Sequence, residues 1–406
     1  MTSGQQQIYL DANATTQPLP VVLDAMHRIM TDVWANPSSI HRAGQLARRE
    51  VDEAREHVCN LIGARDSEVI FTSGGTESIN TSLRSLARWR KKRLILTSAI
   101  EHSAVREQLE DLEATEDVEI VDLQHDDGGV IQVDHLDSII REREEEISFV
   151  TVMWANNETG VIQPIHEIGN RCRDAGIPFH SDATQWVGKM PVNLAETPVD
   201  MISFAGHKFH GPKGSGVLWL REGLPLHAML LGGGQERRRR GGTESVADIV
   251  GLGVACHEAS KWIQGDGYKK MFTIRDSFEA KMQSEVPVCC VNAKSYERLW
   301  STSNIGFPDV EAELMLLGLS EAGLCASAGS ACSSGALKES SVIGAIGRQP
   351  CHVDDQPYGS VRFSIDRTMD AGTLDSAAGT IRNVYERFHG LVPKADWPLS
   401  ADKAST

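Results

Sequence analysis

The residues able to do covalent chemistry on this chain gather around a lysine at the end of an apolar run. The segment Ser203-Phe204-Ala205-Gly206-His207-Lys208, followed by Gly211-Pro212-Lys213-Gly214, reads as a strand that delivers a His-Lys pair to the C-terminal edge of a sheet. Ligands of α/β proteins bind at that edge. A partly desolvated amine there can form an imine with an aldehyde cofactor, although a lone Gly-His-Lys is more simply a surface turn. Upstream, His180-Ser181-Asp182-Ala183-Thr184-Gln185 sets an acidic residue between a short apolar run and a helix start. A carboxylate so placed can keep a pyridine nitrogen protonated and turn the ring into an electron acceptor; it would equally serve as a helix N-cap. In Phe71-Thr72-Ser73-Gly74-Gly75-Thr76-Glu77 a strand passes through a glycine turn into a helix, whose first amides and the Thr76 hydroxyl suit a phosphate. Glu101-His102-Ser103 brings an imidazole to the same edge, able to stack on a ring, move protons, or sit in solvent as an ordinary loop histidine. Cys332 lies in a run of small and polar residues from Ala326 to Gly335 that does not suit apolar burial, so a mobile loop with a reactive thiol is expected there.

An alternating pattern of elements must position these groups. Apolar runs at 69–72, 94–97, 118–121, 149–153, 178–180, 201–204 and 216–220 read as strands. Residues 21–33, 43–62, 77–90 and 165–175 have helical spacing. Strands alternating with helices imply an α/β fold with a largely parallel sheet covered on both faces. A long helical pattern from 244 to 285, interrupted near Gly265-Asp266-Gly267, marks a domain boundary, and a smaller α+β domain follows. The expected division is an N-terminal segment, 1–20, packing on the small domain, a large domain, 21–260, and a small domain, 261–389. The tail at 390–406 is expected to be disordered.

Composition narrows the function classes. The 406 residues carry a formal net charge of −16, which argues against nonspecific nucleic-acid or anionic-membrane binding. Arg237-Arg238-Arg239-Arg240 is the one basic run. No apolar stretch suits a membrane span and the N-terminus has no hydrophobic signal core, so a cytoplasmic protein is expected. The eight cysteines lack metal-ligand spacing and read as mostly buried, reduced thiols, with Cys289-Cys290 in a strand.

Longer motifs carry a family resemblance. Tyr9-Leu10-Asp11-Ala12-Asn13-Ala14-Thr15-Thr16, Asn36-Pro37-Ser38-Ser39, Met153-Trp154-Ala155-Asn156-Asn157-Glu158-Thr159-Gly160, the stretch 232–243, Ser330-Ala331-Cys332-Ser333-Ser334-Gly335 and Val361-Arg362-Phe363-Ser364 occur in that order. With the lysine and aspartate segments, the chain resembles the class-V, fold-type-I pyridoxal-phosphate enzymes, and specifically the cysteine desulfurases of the NifS/IscS type. The resemblance implies the fold-type-I architecture, a large domain with a mixed, mostly parallel sheet and a smaller α+β C-terminal domain. It implies pyridoxal phosphate held as a Schiff base on Lys208, with Asp182 on the ring nitrogen and His102 stacked on the ring. Gln185 and Asn156 would bond the phenolic-oxygen side and the substrate. Gly75, Thr76 and His207 would hold the phosphate, and Thr243 would reach the phosphate of a partner subunit in a homodimer. Arg362 would clamp the substrate carboxylate through its planar fork.

The implied reaction takes sulfur from L-cysteine, leaves L-alanine, and stores the sulfur as a persulfide on Cys332 for an acceptor or iron–sulfur cluster scaffold, with His102 assisting the thiol. No metal site is expected beyond transient cluster ligation by Cys332. Two departures stand out. Ala205 replaces a serine of many relatives and removes one phosphate hydrogen bond, and the stretch 347–360 is longer than in close relatives. Selenocysteine lyase, or a sulfur-delivery scaffold without turnover, are the competing readings. An ordinary aminotransferase has no use for a loop thiol.

Overall fold

The computed structural model describes residues 7–328, 340–346 and 358–389. Its strands are β1 (Ile8–Tyr9), β2 (Val69–Thr72), β3 (Leu94–Thr97), β4 (Glu119–Asp122), β5 (Ile147–Thr151), β6 (Phe179–Asp182), β7 (Met201–Ala205), β8 (Gly216–Leu220), β9 (Cys290–Val291), β10 (Thr302–Pro308), β11 (Leu324–Cys325) and β12 (Tyr358–Ser364). Seven of them form one sheet in the order β2-β8-β7-β6-β5-β3-β4. From β7 to β4 the strands are parallel, whereas β8 is antiparallel to both β7 and β2. Each strand of this sheet coincides, to within a residue or two, with a run expected from the sequence.

Those strands read as unbroken apolar runs because helices cover both faces, so alternate residues enter different cores. Val69 and Phe71 pack with helices Pro20–Asp32, Arg42–Ile62 and Val246–Gln264; Ile70 packs with helices Gly75–Arg90 and Ser103–Thr115 on the other face. A separate core is built on the antiparallel sheet β12-β10-β9 with helices Gly267–Glu285, Ala312–Glu321 and Ala371–Phe388. The chain passes between the cores at Gly265 and Asp266, where Asp266 takes a left-handed φ of +57° and breaks the helix.

The N-terminal segment connects the two. β1 pairs with β11, and the Leu10 and Ala12 amides donate to Cys325 O and Ser364 O. Thr16 then reaches the main sheet, donating from both its amide and its hydroxyl to His207 O.

Cys59, Cys172, Cys256 and Cys289 are free and buried, as expected. Burial raises all four thiol pKa values, to about 11 for Cys59 and Cys289, which keeps them protonated and inert near neutral pH. Cys290, in β9, is disulfide-bonded, so the reduced state expected of the cysteines does not hold there. Among the described residues no helix is long and apolar enough to cross a membrane.

Candidate active site

Since β2, β3, β5, β6 and β7 point the same way, the segments that follow them emerge at one edge of the sheet. They carry, in turn, Gly75-Thr76, His102, Asn156, Asp182 with Gln185, and His207-Lys208. β8 runs the other way and begins at this edge, with Gly216 between Thr72 and Ala205. A Cβ on Gly216 would lie 2.6 Å from the Gly74 backbone, so only glycine lets the turn after β2 settle there.

That turn starts helix Gly75–Arg90 with no side-chain cap, leaving its first amides to an anion. A side chain on Gly75 would meet Thr184 Oγ1 at 3.2 Å, so Thr184 also borders the cradle. His207 is half-buried with Nδ1 3.2 Å from Thr15 Oγ1. Burial, then Lys208 and Lys213, lower its pKa to about 4, so a neutral imidazole stands there at pH 7. Ala205 is buried and contributes no hydroxyl.

Thr243 is exposed and borders, with Ser73, Gly216 and Arg240, a cavity of about 220 Å³ beside the helix start. The basic run preceding it is tied into this chain. Arg237 pairs with Asp66, Arg239 donates to Ser67 O, and Arg240 bonds Glu77 at 3.0 and 3.2 Å. Glu236 anchors the loop from inside, holding Arg55 at 2.5 Å and accepting from the Phe71 amide at 3.0 Å. These contacts support left-handed backbone at Glu236, Arg237 and Arg238, a conformation costly for residues with a Cβ.

Asp182 ends β6, and Lys208 lies three residues beyond the end of the neighbouring strand β7, at the same sheet edge. Asp182 is buried and the Thr184 amide donates to its Oδ1 at 2.9 Å, which fixes the carboxylate. Lys208 Nζ donates to the carbonyls of Asn13 (2.7 Å) and Ala14 (3.0 Å) on the N-terminal segment. Below Asp182, His180 is a satisfied core histidine between Thr151 and Ser203, its pKa pushed down to about 3 by burial. Gln185 is buried, donating from Nε2 to Asn13 O at 3.2 Å and accepting at Oε1 from Lys189 at 2.6 Å.

His102 caps helix Ser103–Thr115: its Nδ1 accepts from the Ala104 amide at 3.1 Å. In a neutral ring the proton therefore sits on Nε2, and the imidazole presents a donor rather than a base. Its neighbour Glu101 is buried, accepting from Ser98 Oγ and the Met153 amide. Asn156 makes its hydrogen bonds within the protein. Its Nδ2 donates to Ile100 O (3.1 Å) and its Oδ1 accepts from the Glu158 and Thr159 amides, so it joins the loops after β3 and β5.

Arg362, on β12, enters from the small core. It is buried, donating to Asp11 (2.9 Å) and Asn157 O (3.1 Å), while its Nε has no partner. Cys332 lies outside the described residues, as do residues 347–357 of the longer stretch. Among the described residues no cluster of His, Cys, Asp or Glu could hold a metal ion. Sequence reasoning passed over Asn13, Thr184 and Lys189. Lys189 alone left a signal, as a charge inside the apolar stretch Val187-Gly188-Lys189-Met190.

The donor set suits pyridoxal phosphate part by part. Uncapped helix amides could take an anion, a buried carboxylate could pair with a protonated ring nitrogen, and a half-buried amine could bond an aldehyde. The comparisons agree: residues 8–376 match the class-V aminotransferase family, and the chain belongs to that family of pyridoxal-phosphate enzymes. Within the family its relatives include a cysteine desulfurase from a Nostoc species, 41% identical over 387 residues, covering 95% of this chain and 94% of the relative. A solved NifS-like protein superposes with a TM-score of 0.85 at 30% identity, covering 94% of this chain and all of its own. SspA in complex with cysteine superposes with a TM-score of 0.76 at 31% identity, covering 89% of this chain and 99% of its own.

Proposed function

We infer that this chain is a pyridoxal-phosphate-dependent cysteine desulfurase that converts L-cysteine to L-alanine and keeps the sulfur as a persulfide on Cys332. The observation that carries the cofactor part is the convergence of Lys208, Asp182 and the uncapped helix start at Gly75 on one sheet edge. The similarity to a cysteine desulfurase over nearly the whole chain supports the substrate.

The chain's residues divide the work. Gly75, Thr76 and His207 would hold the phosphate, Asp182 the ring nitrogen, Gln185 the phenolic oxygen, and His102 the ring face. The bound cofactor supplies an electron sink that acidifies the substrate α-proton and loosens the C–S bond. Lys208 Nζ would attach the aldehyde and, once displaced by the substrate amine, carry the proton at Cα. Arg362 would take the substrate carboxylate, a contact its unpartnered buried Nε favours. Cys332 Sγ takes up the substrate sulfur: one S–S bond forms as one C–S bond breaks, and the thiol proton balances the hydrogen gained by alanine. His102 Nε2–H serves this exchange as a donor.

The two cores support a large domain at 21–260 and a small one at 261–389. A homodimer would let the exposed Thr243 reach a partner's phosphate. The acceptor would be a sulfur carrier or cluster scaffold protein. The test is mass spectrometry of the cofactor-loaded protein after adding L-cysteine. A one-sulfur adduct on Cys332, absent in Cys332→Ala, is expected. Alanine and sulfide release continuing unchanged in Cys332→Ala would sink the persulfide step.

A further inference from the structure

Lysine is among the residues least often buried without a counter-charge. Lys189 is 3% exposed, and its Nζ donates only to neutral oxygens: Gln185 Oε1 at 2.6 Å, Asn13 Oδ1 at 3.0 Å and Ser301 Oγ at 3.5 Å. Lys189 and Lys208 also border one small cavity of about 10 Å³, together with Thr16, Trp300 and Asp366. Burial holds the Lys189 pKa well below its usual value; Lys208 and Arg362 add to the lowering, and Asp366 opposes it.

What makes this lysine informative is that its Nζ, whether ammonium or amine, carries at least two N–H donors and lies between two amide oxygens. Amide oxygen and nitrogen look alike in shape, so a buried glutamine or asparagine takes its orientation from its partners. A neighbour with two N–H groups, one aimed at each amide, favours the oxygen of both. Gln185 must turn Oε1 to Lys189, so its Nε2 points away and reaches Asn13 O at 3.2 Å with one hydrogen. The other hydrogen remains for the site. Asn13 must likewise turn Oδ1 to Lys189, which sends its Nδ2 to Thr302 Oγ1 (2.8 Å) and Asn157 O (3.0 Å). The same Asn157 carbonyl accepts from Arg362, and the Asn13 carbonyl accepts from Lys208. One buried amino group thus sets donor and acceptor directions along a network from Lys208 to Arg362.

We propose that Lys189 is a positioning residue that forces Gln185 to present an N–H, never a carbonyl, to the phenolic oxygen of the cofactor. The inference rests on the pyridoxal-phosphate reading of the site and on Gln185 facing that oxygen. A donor at the phenolic oxygen, like a nearby cation, favours the deprotonated form of the lysine-bound cofactor. It therefore lowers the pH at which the visible absorbance of the loaded protein changes. Loss of either contribution raises that pH.

The experiment is a spectroscopic pH titration of full-length, cofactor-loaded wild type, Lys189→Met, Gln185→Met and the double variant. Lys189→Met should raise the absorbance midpoint by about 1 in pH. The double variant should shift no further than the larger of the two single shifts, since both changes remove one arrangement. An unmoved midpoint in Lys189→Met, or fully additive shifts, overturns the proposal. A packing role alone would lower the melting temperature and leave the midpoint in place. Gln185→Glu guards against misfolding of Lys189→Met. With the Lys189 amino group donating to its oxygen, the carboxylate of Gln185→Glu should keep the melting temperature while the midpoint rises; a fall of several degrees removes Lys189 from that contact. Lys208→Ala separates the two levels: retention of the pH-dependent lysine-bound band in that variant would defeat the assignment of the Schiff base to Lys208, on which the Lys189 inference rests.

Discussion

Replacing Glu101 with glutamine changes one proton and almost no volume, and the consequence for stability should depend on pH. Glu101 Oε1 accepts from Ser98 Oγ at 2.7 Å and from the Met153 amide at 2.8 Å, while Oε2 is buried without a partner. Burial raises the carboxyl pKa to about 8 from an ordinary 4.5; the two hydrogen bonds oppose the rise and Asp182 adds to it. The folded chain therefore keeps a proton that the unfolded chain releases above about pH 4.5. Stability falls as the pH rises from there, and the loss levels off above about pH 8. Within that window one proton is worth about 1.4 kcal/mol per pH unit, so the step from pH 5.5 to 7.5 costs about 2–3 kcal/mol. Glutamine keeps a carbonyl for both donors and has no proton to lose. Urea or thermal unfolding of cofactor-loaded wild type and Glu101→Gln, compared at each pH, cancels the other titrating groups. The variant should gain on wild type by that 2–3 kcal/mol across the interval. A difference that stays constant with pH would refute the idea that Glu101 is held protonated in the fold.

Three further outcomes are expected. Arg362→Lys keeps the charge and loses the planar fork, so KM for L-cysteine should rise by about tenfold or more with a smaller change in kcat; steady-state alanine formation checks this, and an unchanged KM places the carboxylate elsewhere. Glu236→Ala leaves buried Arg55 only Asp66 at 3.3 Å and the Val69 carbonyl, and should destabilise the chain by about 3 kcal/mol, read as a lower melting temperature. Thr243→Ala removes one hydroxyl from the proposed cross-subunit phosphate contact. It should weaken cofactor binding by about tenfold or less, measured by absorbance after dialysis, and leave the melting temperature of the cofactor-free protein unchanged.

Much of the architecture was legible because burial on two faces writes itself into sequence as unbroken apolar runs. The runs at 69–72, 94–97 and 216–220 are the observed strands β2, β3 and β8 to the residue. The break at Gly265-Asp266 was legible from its glycines, which weaken a helix, and the left-handed Asp266 makes the break. What did not show is the reversal of β8. Its apolar run looks like its parallel neighbours, yet its direction brings Gly216 to the active edge under the Gly74 turn.

The candidate site divides in the same way. Sequence by itself established which groups could react: Lys208, Asp182, His102 and Cys332 belong to types with the right chemistry, in motifs whose order marks the family. Only the tertiary structure decided what each group can do. It spends the Asn156 amide on Ile100, Glu158 and Thr159, makes His102 a donor by binding its Nδ1 to Ala104, and raises Glu101 through burial. It also sets the amino group of Lys189 behind Gln185. The physical reason is that a residue's type travels with the chain. Its proton, its amide orientation and its free lone pairs are set by neighbours that the fold brings from Asn13, Ser301 and Arg362, far away in sequence.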